Sequence, residues 1–148
     1  MTILLHRRHL LRSGLAAGAS FVVPSARACE YFSPNLRIVH PWTRATEAGF
    51  AIVCMKFDDV TLADRLIAVH TPVAEGAEMG GPGAAPAVDF VIPQGQVSTL
   101  GEGGTHLRLI GLKHALEVAR SYPMDLVFER GGTVAATLNV DYTGFRFK

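Results

Sequence analysis

The chain has 148 residues, 49% of them hydrophobic and 18% charged; it suits one globular domain, and a two-domain enzyme, a disordered chain and a coiled coil are all excluded. The formal charge of +1 misleads: of 14 lysines and arginines, four (Arg7, Arg8, Arg12 and Arg27) fall in residues 1–28, which leaves 10 basic against 13 acidic residues, a net −3, for the remainder. That remainder has no basic footprint with which to displace counterions, so nucleic acid is not an expected partner.

Residues 1–28 read as a cleaved signal peptide. Basic residues from His6 to Arg12 precede an apolar stretch from Gly14 to Val23, and Ala26-Arg27-Ala28 supplies a small-x-small cleavage site. The apolar stretch is too short to span a bilayer, and no transmembrane segment is expected in the mature chain. Arg7-Arg8 followed by Leu10-Leu11 resembles a twin-arginine signal; an ordinary secretory route is the alternative. The expected location is the bacterial periplasm, with a domain over residues 29–148.

Cys29 and Cys54 are the only cysteines. An oxidising compartment would let them form a disulfide, expected to contribute roughly 3 kcal/mol in the chain-entropy model. A lipid anchor at Cys29, a free thiol and a metal-binding thiol are the alternatives.

Short β-rich runs separated by Gly, Pro and Asp follow: 36–40, 50–57, 65–70, 88–92, 97–100, 107–112, 126–128 and 134–142. About eight such strands predict an all-β sandwich or barrel. The helical spacing of Leu112, Leu116 and Ala119 is too short to compete. Glu75 to Pro86, rich in Gly and Pro, reads as a loop between strands, a place where rigid scaffolds carry function.

Enzyme signatures are missing: there is no Gly-x-Ser-x-Gly, no Walker loop and no His-Glu-x-x-His, so no catalytic residue is named and no enzyme is expected. Asp58-Asp59 reads as a solvated turn. Soft donors for Cu(I) are thioethers and imidazoles. Met55 and Met124 lie in or beside apolar strands and read as core, while His40, His70 and His114 sit at strand ends as surface or capping residues. His106 differs, because Gly103-Gly104-Thr105 before it and Leu107-Arg108-Leu109 after it would present its imidazole at a turn.

Seven stretches carry a family resemblance: Ile38 to Ala45, Asp64 to Val69, Pro72 to Ala74, Ile92 to Gly95, Gly103 to Leu107, Gly111 to Lys113 and Leu126 to Glu129. In that order they resemble the periplasmic copper chaperones of the PCu(A)C type, cupredoxin-like antiparallel β-sandwiches that deliver copper to the CuA centre of cytochrome c oxidase. The resemblance implies that fold, Cu(I) as cargo, and oxidase-assembly proteins or another periplasmic protein as partners. It also implies a ligand set of His, a Met about ten residues later, and His-x-Met after the Gly-Gly turn. Here the last motif reads His106-Leu107-Arg108, the earlier methionine falls on Ala84 and the first histidine on Gly80. Gly80, Ala84 and Arg108 are thus former-ligand positions, and Arg108 puts a permanent cation where a thioether is implied. Two readings follow. Met79 and His106, with His70 as a further candidate, hold Cu(I) weakly or not at all; or the His106/Arg108 surface makes the domain a non-metal periplasmic interaction module for a carboxylate or acidic partner.

Overall fold

A computed structural model describes residues 29–141; the signal-peptide reading of residues 1–28 lies outside them. Ten strands run in chain order: β1 (Glu30–Phe32), β2 (Arg37–Arg44), β3 (Phe50–Asp58), β4 (Asp64–His70), β5 (Ala74–Gly80), β6 (Phe90–Ile92), β7 (Ser98–Leu100), β8 (His106–Leu112), β9 (Ser121–Phe128) and β10 (Gly132–Asp141). Gly81–Gly83 form a 3-10 turn, and no α-helix occurs among the described residues. None of their helices is long and apolar enough to cross a membrane. The architecture is all-β and cupredoxin-like.

The strands form one continuous, curled sheet in the order β5-β8-β3-β2-β10-β9-β4-β6, with β1 on β2 and β7 on β3. β3 carries the sheet round the core: its first half, Phe50 to Val53, pairs with β8, and its second half pairs with β2 and β7. All pairs are antiparallel except β2 with β10, which run parallel through Trp42↔Asn139. Alternation then sorts the side chains. Ala51, Val53, Met55 and Phe57 of β3, Met124, Leu126 and Phe128 of β9, and Val134, Ala136, Leu138 and Val140 of β10 all point inward into a single core. Phe57 is fully buried, edge-on to Phe128 at 6.1 Å and tilted against Phe90 at 5.9 Å.

The chain between β9 and β10 turns around Asp64. Its carboxylate accepts the backbone N–H groups of Arg130 (2.9 Å), Gly131 (2.9 Å) and Arg65 (2.8 Å) and the Asn35 amide (3.1 Å). Burial alone would raise this carboxyl, but those four donors together hold it below the usual carboxylate range.

Three expectations are corrected. The segment expected as a loop from Glu75 to Pro86 begins as strand: β5 pairs with β8 from Ala74↔Leu112 to Gly80↔His106, and only the part beyond Gly80 is loop. Pairing and the burial of Met79 override the weak strand preference of Ala and Gly. Asp58 is not a solvated turn residue; it is buried and takes Arg37 Nε at 2.6 Å and Lys56 Nζ at 3.0 Å.

The Cys29–Cys54 disulfide is absent, and both cysteines are free thiols. β1 and β3 flank opposite sides of β2 at the same residues, Arg37 to Val39. Cys29 lies on the β1 side, its carbonyl accepting His40 N–H at 2.7 Å and its sulfur accepting the Asn139 amide of β10 at 3.0 Å. Cys54 faces Trp42 across β2's other edge. With β2 between them, two strand spacings of about 4.8 Å separate their backbones, beyond the ~7 Å that a disulfide spans.

Candidate metal centre

β5 and β8 pair with Glu78 opposite Arg108, Met79 opposite Leu107 and Gly80 opposite His106. Alternation therefore places Glu78, Gly80, His106 and Arg108 on the outer face, and turns Met79 and Leu107 into the core. Beyond Gly80 the loop folds back, and Met79 and Ala85 exchange two backbone hydrogen bonds of 3.0 and 3.1 Å. The result is an open concavity of about 490 Å³, lined by Glu78, Gly80, Ala84, Pro86, His106 and Arg108 among others. Three positions read from sequence as former ligands, Gly80, Ala84 and Arg108, thus meet His106 at one place.

His106 is held by its own turn. Its Nδ1 lies 2.9 Å from the carbonyl oxygen of Gly104, and a carbonyl can only accept, so Nδ1 carries the proton and Nε2 the lone pair. The ring lies over Gly80, where any Cβ would collide with Nε2 and approach Cδ2 to 2.9 Å. Gly81 has a left-handed φ of 79° and packs against the Gly104 carbonyl so closely that a Cβ there would strike it. The two glycines make room for the imidazole and for the carbonyl that orients it.

Arg108 fills the other wall. Its guanidinium stacks over Phe50, with Cζ 4.2 Å from the ring centroid, and its Nε is 3.6 Å from Glu78 Oε1. That distance is too long for a hydrogen bond, and Nε is buried without a partner. Sequence reasoning missed both Glu78 and Phe50. Their signal lies in the strand register: once Gly80 pairs antiparallel with His106, the residues two positions away, Glu78 and Arg108, fall opposite each other on the same face.

These residues do not make a closed Cu(I) site. Among the described residues there is no group of three or more His, Cys, Asp or Glu able to hold a metal. Met79 touches the concavity but is only 3% exposed, within the core. His70 lines a separate depression with Glu75 and Gly76, at the far end of β5. The rise of a strand puts roughly 20 Å between the two ends. Met55 and Met124 are core residues, and His40 pairs with Asp141 at 2.8 Å. One imidazole nitrogen is the soft donor offered to the concavity.

Nearby, Arg44 and Glu102 pair across a smaller cleft of about 210 Å³. Cys54 lies close to both, and burial, reinforced by the Glu102 carboxylate, pushes its thiol up to about 11, so it remains protonated and inert near neutral pH.

The sequence model of the LpqE-like lipoprotein family matches residues 36–140. No curated protein matches the chain significantly. Among solved structures, the apo PCuAC domain from PmoF1 superposes with a TM-score of 0.70 at 28% identity, covering 77% of this chain and 99% of that domain. The copper-bound PCuAC domain from PmoF2 gives 0.69 at 26% identity, covering 77% and 98%. The Cu(I) form of DR1885 from Deinococcus radiodurans shares the fold at 20% identity, with a TM-score of 0.63 over 85% of this chain and 87% of that one.

Proposed function

The chain belongs to the LpqE-like family and has the PCuAC fold, and we propose that it is an exported, periplasmic protein of the copper-handling type whose own residues hold Cu(I) only weakly. The observation that carries this reading is the donor set of the concavity, one imidazole at His106 facing the Arg108–Glu78 pair. A single neutral nitrogen is too few ligands for a stable Cu(I) site, and a permanent guanidinium nearby opposes a bare cation. As in the resemblance, the partners would be proteins of cytochrome c oxidase assembly or another periplasmic protein. Residues 1–28 would direct export and be removed, and no catalytic step is assigned.

A second reading, a non-metal interaction module, is favoured by one specific feature. Arg108 Nε is buried without a hydrogen-bond partner, a donor that an incoming carboxylate would satisfy after a small movement of Glu78.

Titration of Cu(I) into the protein, followed by NMR of imidazole nitrogens and methionine methyls, tests the main reading. The expected result is a shift confined to His106 Nε2, in fast exchange. A shift of the Met79 methyl or of His70 would overturn the one-donor site, and a protein that takes carboxylates but leaves His106 unmoved by copper would favour the second reading.

A further inference from the structure

Three polar groups with unused hydrogen-bonding capacity meet at the concavity between β5 and β8. Arg108 Nε is buried without a partner, and Glu78 Oε1 lies 3.6 Å from it, too far for a hydrogen bond. Among the described residues the Glu78 carboxylate makes no hydrogen bond of its own. His106 Nε2 keeps its lone pair, because Nδ1 carries the proton toward the Gly104 carbonyl. Deepening the second reading above, and resting on it, we infer that the concavity binds a small zwitterion, a free α-amino acid. Arg108 takes its carboxylate, and Glu78 and His106 Nε2 take its ammonium.

The charges select this class of ligand. The polar lining consists of one permanent cation, one carboxylate and one neutral acceptor, so it carries no net charge but separates the two signs. A plain carboxylate gains from Arg108 and is repelled by Glu78 beside it; a plain ammonium meets the converse. A molecule with both charges on neighbouring groups is attracted at both ends. The hydrogen bonds match in the same way. A carboxylate only accepts and a guanidinium only donates, while the N–H bonds of an ammonium suit the two acceptors at Glu78 and Nε2. Register supplies the spacing. Glu78 stands directly opposite Arg108, and His106 lies two residues before Arg108 on the same face, about 7 Å along the strand. One carbon atom joining a carboxylate to an ammonium fits among groups so placed.

The neighbouring residues hold these groups in position. A Cβ at Gly80 would collide with Nε2 and lie 3.1 Å from Arg108 Cδ, so the glycine lets the imidazole and the arginine stem share the floor of the concavity. Phe50 takes the flat face of the guanidinium, with Cζ 4.2 Å from the ring centroid, and leaves its N–H edge for a ligand. At about 490 Å³ the concavity has room for an amino acid, and its wall at Ala84 and Pro86 is apolar. An apolar side chain suits that wall, and leucine is the probe.

The experiment is an NMR titration of the folded, metal-free protein with leucine, N-acetylleucine and leucine amide, which present both charges, the carboxylate alone and the ammonium alone. The expected result is a saturable shift at Gly80, His106 and Arg108 with leucine, and binding at least about tenfold weaker with either masked form. Glu78→Gln should reduce the preference for leucine over N-acetylleucine at least about fivefold, whereas Arg108→Gln should weaken both; a merely structural ion pair would not divide the two ligands in this way. Amide spectra unchanged away from the concavity establish that each variant is folded. Equal binding of leucine and N-acetylleucine would overturn the zwitterion and leave the carboxylate reading standing. Leucine amide binding as well as leucine, or no saturable shift with any of the three, would overturn both. Unchanged leucine affinity in His106→Ala would overturn the role assigned to Nε2.

Discussion

Gly104 offers its carbonyl to His106 where Gly81 passes close beside it with a left-handed backbone. Gly81→Ala introduces both a strained φ and a collision with that carbonyl, and should destabilise the protein by about 1–3 kcal/mol while freeing the ring. Thermal unfolding and the imidazole nitrogen shifts of His106 would report the two effects; an unchanged spectrum would show that the carbonyl does not orient the ring. Gly80 carries a related prediction. Ala84→Met with Arg108→Met should raise Cu(I) affinity at least about tenfold, and because a histidine at position 80 must displace His106, adding Gly80→His should gain less than a fourth donor would in open space. Chelator competition on the double and triple variants separates these outcomes. The family-like spacing made His106, Gly80, Ala84 and Arg108 legible as neighbours, and the structure gathers them at one concavity. The roles of Phe50 and Glu78 were not legible, because each depends on a cross-strand register that the sequence does not state.

At the scale of elements, alternating runs such as Val134 to Val140 declare their inward face directly, since every second residue is apolar. β5 does not: Ala74-Glu75-Gly76-Ala77-Glu78 contains little that favours a strand, and its conformation comes from β8 beside it. The disulfide expectation failed for a topological reason. Two thiols and an oxidising compartment permit a bond, but only the strand order reveals that β2 stands between them. Alkylation of the native, unreduced protein should therefore modify Cys29 and spare Cys54, which is buried with its thiol raised to about 11, and denaturation should expose both. A mass lower by two hydrogens with no alkylation would contradict this. Across the core, Phe57 joins β3 to β6 and β9 through Phe90 and Phe128, and Phe57→Ala should cost roughly 3–5 kcal/mol in urea unfolding. A loss below about 1 kcal/mol would show that the surrounding strands collapse around the missing ring.

For the whole molecule, two buried carboxylates set the acid limb of stability. Asp58 is lowered chiefly by the hydrogen bond from Arg37, against a smaller opposing effect of burial, and Asp64 is lowered by its backbone and amide donors although burial opposes them. Groups whose native pKa is depressed contribute stability above their unfolded values, near 4, and lose it as pH falls through the native ones. Urea midpoints should thus hold between about pH 5 and 7 and drop below pH 4, with a shallower drop in Asp64→Asn. The same scaffold holds one soft donor over an open concavity, and on the proposed reading so few ligands bind Cu(I) only weakly. Competition of the wild-type protein against a Cu(I) chelator, with no thiol added, tests it most directly. The expected result is that the chelator takes the copper and that His106→Ala changes the outcome little further; tight one-to-one retention of Cu(I) that disappears in His106→Ala would overturn the weak-binding reading.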